Sequence, residues 1–350
     1  MQIALALDEQ GHAIEFYGSR RGQEASIWSG LAFPYTLLPG RGIRRSLRPE
    51  ALWANAGAVL GLLWATVVSL ASFATRRPRA VVVVGGYAGF PAGFAAVVTR
   101  VPLILVNTDA VPGAVNALLG RFAAASAVAF AGTELPRAQV TGTPVRPELG
   151  ALDRSPAARH AARIALGLPA DRSTVATVGG SLGARRINTA VAGLAERWAD
   201  RADLSLYQVA GRRDYEQFAR TSGGAGAGLA YEVVPFEDRM AVFYAAADLY
   251  VCRAGAMTVA ELLVCGVPAI LVPLPGAPRD HQTRNAEVLV AAGAAILVPD
   301  AECTAARLES EVGALLADPD RLAAMGEAAR QMGHPDAAAR VAALVDTHAR

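Results

Sequence analysis

Between Asp248 and Ala286 the chain reads DLYVCRAGAMTVAELLVCGVPAILVPLPGAPRDHQTRNA, and this stretch sets two pairs of polar side chains where phosphates and sugars are commonly held. A helix that starts near Ala256 offers free N–H groups and the positive end of its dipole to an anion. Thr258 and Glu261, three residues apart, share one face of its first turns, and from there the Glu261 carboxylate is placed to accept hydrogen bonds from a ribose diol. Gln282 and Asn285 repeat the spacing on the next helix, with amide side chains that suit sugar hydroxyls. Glu261, Gln282 or Asn285 taken alone reads more readily as an ordinary solvated helix position. All of them fall just past the carboxyl ends of expected parallel strands, which is where open α/β sheets bind ligands.

The elements that position them follow from the apolar pattern. Leu249 to Cys252 is short, apolar and partly β-branched, as a buried parallel strand requires, and Arg253, Ala254 and Gly255 turn it into the helix. Pro268 to Leu274 reads as the next strand and Pro275 to Arg279 as the loop after it. A chain of 350 residues with 53% hydrophobic content buries large cores and suggests two domains. Net charge of +2 is too mild to argue for nucleic acid. Every basic side chain is Arg, which fits a GC-rich coding bias and carries no catalytic meaning. Cys252, Cys265 and Cys303 lack metal-ligand spacing and read as buried reduced thiols of a cytosolic protein; no metal site is visible. The start, MQIALALDEQGH, lacks the features of a signal peptide.

From the N-terminus, Ile3 to Glu9 reads as the end of an amphipathic helix, Gly11 as its C-cap and Ala13 to Tyr17 as a strand. An α/β domain usually opens on a strand and a phosphate-loop turn, so Met1 is expected to fall inside an early helix. Ala51 to Thr75 contains no charged residue and lies between the basic run RGIRRSLR and Arg76, Arg77 and Arg79. It is long enough to cross a bilayer. Its polar residues and its two basic flanks weigh against a span, leaving a core helix or, as the preferred reading, a helix whose Trp53, Leu60 and Trp64 touch the headgroups of an anionic membrane. Val81 to Val84 is a strand that enters GGYAGFPAGFAA, where Gly85, Gly86 and Gly89 allow close backbone approach. Pro102 to Val106 is another, followed by a loop carrying Asp109, itself readable as a simple N-cap. The proline-rich segment TPVRPELGALDRSPAAR marks a domain boundary, and a second series opens with Thr174 to Val178 and the turn GGSLGARRIN. That turn departs from the dinucleotide fingerprint yet resembles a phosphate cradle.

Six pieces taken in order carry a family resemblance: VGGYAGFPAGFAA, DAVPGAVNALLGRFA, VTGTPVR, VGGSLGARRIN, YAAADLYVCRAGAMTVAELLVCGVPAILVP and DHQTRNA. Together they make the chain resemble the MurG family of peptidoglycan N-acetylglucosaminyltransferases. The resemblance implies a GT-B fold of the α/β class, with two Rossmann-like parallel-sheet domains facing a cleft. It places the acceptor and membrane-facing domain at 1–147, with its first strand and loop missing, the donor domain at 148–333, and a C-terminal helix at 334–350 that crosses back to the first domain. The implied reaction moves GlcNAc, with inversion, from UDP-GlcNAc to the C4 hydroxyl of undecaprenyl-diphospho-muramoylpentapeptide (lipid I). It would run at the cytoplasmic face of the cell membrane, without a cofactor and with no nucleic-acid partner. By the same resemblance Ser181, Leu182 and the adjacent backbone hold the donor diphosphate, and Phe236 and Glu237 lie beside the uracil. Ala256, Met257 and Thr258 supply helix N–H groups, Glu261 takes the ribose, and Gln282 and Asn285 read the GlcNAc. Arg146 steadies the diphosphate leaving group by its fixed charge, with no metal required. Gly85, Gly86, Asp109 and Asn116 fall on the acceptor side.

Two departures from the family pattern stand out. The glycine-rich loop GGTGGH is absent, and VNTD, Val106 to Asp109, replaces HEQN, which leaves Asp109 as the candidate base. Two competing readings are a UDP-GlcNAc epimerase on the same fold and a catalytically silent, donor-binding membrane partner.

Overall fold

The computed structural model describes residues 1–20, 30, 33–39, 49–180, 183–219 and 228–349, with residues 49–54 described by their backbone alone. The chain divides into two compact units, Met1–Pro144 with Asp336–Arg350, and Val145–Pro335. In chain order the first unit contains α1 (Gln2–Glu9), β1 (Phe16–Ser19), β2 (Tyr35–Leu38), α2 (Pro49–Arg76), β3 (Val81–Val83), α3 (Gly86–Thr99), β4 (Leu103–Asn107), α4 (Ala114–Leu119), β5 (Ala125–Val128) and β6 (Ala138–Val140). The second contains α5 (Pro147–Gly150), α6 (Pro156–Ala165), β7 (Ser173–Val178), α7 (Arg185–Arg197), β8 (Leu204–Val209), α8 (Tyr215–Phe218), β9 (Ala230–Val234), α9 (Met240–Ala246), β10 (Leu249–Cys252), α10 (Ala256–Cys265), β11 (Ala269–Leu271), α11 (His281–Ala291), β12 (Ala295–Leu297), α12 (Ala305–Leu316) and α13 (Pro319–Met332). The last helix, α14 (Ala337–His348), belongs to the first unit.

In the first unit the strands β3-β4-β5-β6 form one parallel sheet, in register Val81↔Leu103 and Ile104↔Ala125. Alternation along the strands sends Leu103 and Leu105 to one face, where Phe73 of α2 and Ala92, Ala95 and Ala96 of α3 cover them. Ile104 and Val106 go to the other face, under Leu7 of α1 and Val341 and Val345 of α14. The result is a helix–sheet–helix sandwich. α3 comes close to β3 because Gly89 carries no side chain: a Cβ there would stand 2.9 Å from Cγ1 of Val83. β1 and β2 pair in a parallel sheet of their own and share no ladder with β3 among the described residues. β1 is tied instead to helices, through Tyr17 with Ser72 at 2.6 Å and Tyr87 with Ser19 at 3.1 Å.

α2 covers the expected uncharged run and extends it at both ends. Its segment Asn55–Arg76 has the length and hydropathy, 1.9, of a membrane-crossing helix, and 28% of its apolar window is buried. Ala58, Ala65, Ser69 and Phe73 face the protein, while Val59, Leu60, Leu63, Trp64 and Val67 stand in solvent on the opposite side.

The second unit is built on one six-stranded parallel sheet, in the order β12-β11-β10-β7-β8-β9. Val175, Leu206, Leu249 and Val251 pack with Ile187, Val191 and Leu194 of α7 and with Leu308 and Val312 of α12. The alternate residues Tyr207 and Tyr250 therefore face the other way and join Phe243 and Tyr244 of α9, with Tyr244 stacked on Tyr250 at 4.8 Å between ring centroids.

Candidate functional site

Strand order in the second unit reverses between β7 and β10. From β7 the chain winds outward through β8 and β9, and from β10 outward through β11 and β12. Loops leaving the two central strands diverge at such a point and open a crevice at the strands' carboxyl ends. The two loops here are Gly179 to Ala184 and Arg253 to Gly255, and both lead into helices, α7 and α10.

The first loop exists because it is made of glycine. At Gly179 a Cβ would stand 2.3 Å from the Ala184 backbone N, and at Gly183, where φ is +78°, it would stand 2.4 Å from the Ala210 carbonyl oxygen. Gly183 thereby packs closely on Ala210, the residue that follows β8. Beneath it the buried Asn188 of α7 donates to Ala210 O at 2.8 Å and accepts from Gln208 at 2.9 Å. Asp214, also buried, lies beside Gly183 and is held below the usual carboxylate range by its bonds to Arg213, with a further contribution from Arg185. Ser181 and Leu182 lie outside the described residues.

The second loop positions α10. Gly255 is its N-cap with extended backbone and no side-chain cap, so the first N–H groups of the helix have no side-chain acceptor. Arg253 fixes the turn by donating to the carbonyls of Val272 and Pro273, both at 3.0 Å, and to Asp300 Oδ1 at 2.6 Å. At the far end of the helix, Arg154 donates to Gly266 O at 2.8 Å and also to Ala247 O. Ala256, Met257, Thr258 and Glu261 all keep some exposure on the open side, while Val259, Leu262 and Leu263 are buried.

The Glu261 side chain is only 13% exposed, and Oε2 accepts the Tyr244 hydroxyl at 2.9 Å. Oε1 stands 3.9 Å from Arg146, which also lies 3.6 Å from Glu148. Burial pushes the Glu261 carboxyl above its usual value, against the Tyr244 bond and the Arg146 charge, which pull it down. Burial also holds the Tyr244 hydroxyl well above the ordinary tyrosine range, so it stays a donor. Cys252 and Cys265, both buried, are pushed up to about 12 and remain inert thiols.

Around this centre the expected residues sort into two groups. Arg146, Ala256, Met257, Thr258, Glu261 and Gln282 have accessible surface. Gln282 accepts from Leu274 N at 2.9 Å, and its Nε2 points toward Gly255, within 3.9 Å of where a Cβ would stand. Phe236 is 42% exposed, with the Arg212 guanidinium 5.1 Å over its ring. The side chains of Glu237 and Asn285 are engaged inside the fold. Glu237 receives the Tyr207 hydroxyl at 2.7 Å, the Arg239 N–H at 2.8 Å and the Arg239 guanidinium at 2.9 Å. Burial pushes that carboxylate up, but these bonds outweigh it and hold it below its usual range. Asn285 has no exposed surface and donates to Ala254 O at 3.0 Å, bracing the turn before α10.

Sequence reasoning missed Tyr244, Arg212 and Arg253. Arg253 stands in the turn already singled out, and Arg212 follows Gly211 at the end of β8, so asking what leaves each strand end would have found both. Tyr244 gives no such signal, since only tertiary packing sets its hydroxyl on Glu261.

In the first unit Gly85 and Gly86, with φ of +89° and +71°, turn β3 into α3. Asn116 lies 3.7 Å from a Cβ position on Gly85 and donates to Val106 O at 2.9 Å, while its buried Oδ1 has no hydrogen-bond partner. Asn107 accepts from Asn116 at 3.2 Å and donates to the Asp109 carbonyl at 2.7 Å, shaping the loop that carries Asp109.

The chain matches the glycosyltransferase family 28 N-terminal domain over residues 1–128 and the C-terminal domain of the same family over residues 174–341. It is 41% identical over 355 aligned residues, covering 100% of this chain and 95% of the relative, to the UDP-N-acetylglucosamine–N-acetylmuramyl-(pentapeptide) pyrophosphoryl-undecaprenol N-acetylglucosamine transferase of Alkalilimnicola ehrlichii. The protein of the same name from Desulforudis audaxviator is 36% identical over 92% of this chain and 86% of its own length. The crystal structure of Acinetobacter baumannii MurG superposes with a TM-score of 0.81 at 29% identity, covering 99% of this chain and 94% of that one.

Proposed function

Since the chain belongs to the MurG family of glycosyltransferases, we propose that it transfers N-acetylglucosamine from UDP-GlcNAc to undecaprenyl-diphospho-muramoylpentapeptide. The observation that carries the reading is the uncapped start of α10 with the Glu261 carboxylate on the same open side. Helix N–H groups take the donor diphosphate and Glu261 accepts from the ribose diol. Phe236 and Arg212 offer flat faces to the uracil, and Gln282 presents its amide N–H to the sugar. In the transfer the acceptor C4 oxygen forms a bond to the anomeric carbon from the face opposite the leaving group. The bond from that carbon to the diphosphate breaks, and UDP leaves with the electron pair. Arg146 meets the growing charge on the diphosphate. On the acceptor side Asp109 takes the hydroxyl proton, and the unpaired Asn116 Oδ1 beside Gly85 is an acceptor for an acceptor-side hydroxyl.

The apolar face Val59, Leu60, Leu63, Trp64 and Val67 of α2, with Arg76 in its last turn, supports peripheral docking of the first unit on the cytoplasmic face of an anionic membrane. GlcNAc transfer from UDP-GlcNAc to a lipid I analogue on anionic vesicles is the test. Appearance of the disaccharide product supports the reading, while UDP release with epimerised free sugar, or binding of UDP-GlcNAc without turnover, replaces it.

A further inference from the structure

Glu261 is an uncommon choice for a ligand-binding carboxylate, because most of it is buried and its surroundings penalise its charge. A carboxylate in that position drifts toward the protonated form, or turns toward whichever donor is nearest, unless something inside the protein holds it. Tyr244 does this. It is fully buried on α9, stacked face to face on Tyr250 with 9° between the ring planes, and packed against Phe243. The ring cannot swing, so its hydroxyl points at one place, Oε2 of Glu261, at 2.9 Å. Tyr250 carries a hydroxyl in the same stack that has no partner, so the stack itself does not require a satisfied hydroxyl.

We propose that Tyr244 is a positioning residue for donor binding: its buried hydroxyl occupies Oε2 of Glu261 and leaves Oε1, on the Arg146 side, turned to accept the vicinal hydroxyls of a ribonucleoside diphosphate. This rests on Glu261 as the ribose ligand. The charged and titratable groups facing Glu261 are Arg146, which precedes α5, Glu148 from α5, Tyr244 from α9, Tyr250 from β10 and Cys265 from α10 itself. Of these, Tyr244 and Arg146 favour the ionised form. Loss of the Tyr244 hydroxyl therefore moves the Glu261 titration up in pH, and binding that needs the carboxylate fades at a higher pH than in the parent.

The experiment is calorimetric titration of the full chain with UDP and with 2′-deoxy-UDP across the range where carboxylates titrate, on the parent, Tyr244→Phe, Tyr250→Phe and Glu261→Ala. The parent prefers UDP, and Glu261→Ala erases the preference. Tyr244→Phe weakens UDP roughly tenfold, the effect of one hydrogen bond to a charged group, narrows the preference, and shifts its loss to higher pH. Tyr250→Phe changes neither. The preference is a ratio measured on folded molecules, so partial unfolding cannot imitate its loss. A parent without preference, together with full UDP affinity in Glu261→Ala, would remove the ribose assignment itself. If Glu261→Ala erases the preference but Tyr244→Phe keeps both preference and pH profile, the ribose assignment stands and the positioning role falls. Equal losses in Tyr250→Phe, or failure of Tyr244→Phe to fold when Glu261→Ala folds, would assign the hydroxyl to packing alone and overturn the role as well.

Discussion

Two apolar helices, α2 and α10, spend the same kind of sequence in opposite ways. α10 buries Val259, Ala260, Leu262, Leu263 and Cys265 and keeps its first turn, Glu261 and part of Val264 open. α2 buries a thin seam of Ala58, Ala65, Ser69 and Phe73 and leaves Leu60, Leu63 and Trp64 each more than half exposed. The contrast extends to their units. In the second, strand ends offer uncapped N–H groups and charged side chains; in the first, Asn107 at the end of β4 bonds to the loop that follows and to Asn116 of α4, which reaches back to Val106. Hydropathy alone does not separate the two helices. What separates them is which residues stand on the face the core leaves open: one face suits a charged solute, the other an apolar boundary.

The largest expected effect tests how tightly the turn between β7 and α7 is packed at Gly183. Gly183→Ala meets the Ala210 carbonyl and a left-handed backbone together, and should cost about 3 to 5 kcal/mol in denaturant unfolding. The matching change in the first unit, Gly85→Ala, meets only ordinary contact, and its backbone at φ +89°, ψ −166° should make it cost about 1 to 3 kcal/mol. Equal costs would erase the difference between the two turns. Next, Glu261→Ala should weaken UDP binding by about 1.5 to 3 kcal/mol and leave vesicle binding alone, as read by calorimetry and co-sedimentation on the same preparation. Leu60→Ser with Trp64→Ser should do the reverse, lowering partition onto anionic vesicles by roughly tenfold or more at unchanged UDP affinity. Salt should release the parent from those vesicles, and resistance to both salt and carbonate would make α2 a spanning helix.

The smallest effect concerns stability. The folded-state pKa of Glu261 is raised, so between its unfolded and folded values the native chain holds more protons than the unfolded one. Its contribution is therefore favourable at low pH and is lost as pH rises through the folded value. Glu261→Gln keeps an acceptor for Tyr244 without the charge, and should raise Tm at neutral pH by about 1 to 3 °C while weakening UDP. A lower Tm would mean that the carboxylate stabilises its surroundings.

The sequence was most legible where local pattern and tertiary role agree. Leu249–Cys252 is readable to the residue because its apolar run is bounded by Asp248 and Arg253, both held in ion pairs. β11 is shorter than the apolar run from Pro268 to Leu274 because the carbonyls of Val272 and Pro273 bond to Arg253. β1 lies at Phe16–Ser19 rather than Ala13 to Tyr17 because its register is set by β2, a partner that no local window contains. At the candidate site, residue type and spacing point to Thr258, Glu261 and Gln282, and all three keep accessible surface. Type and spacing do not reveal that Glu237 and Asn285 turn inward, since the donors and acceptors that claim them, Tyr207, Arg239 and Ala254, come from other elements or from the backbone.

α14 packs on α1 and on the face of β4 and β5, and Asp346 meets His12 across 334 residues of sequence. On a ribosome that order matters. The first unit begins to emerge first, yet one face of its sheet is covered by α1 alone until α14 leaves the exit tunnel, while residues 145–335 have by then already emerged as a complete unit. The half of the chain synthesised second is thus the first able to finish folding. The apolar surface exposed in the interval, Ile104, Val106, Ala125 and Ala127, is the stretch a chaperone or a premature membrane contact would meet.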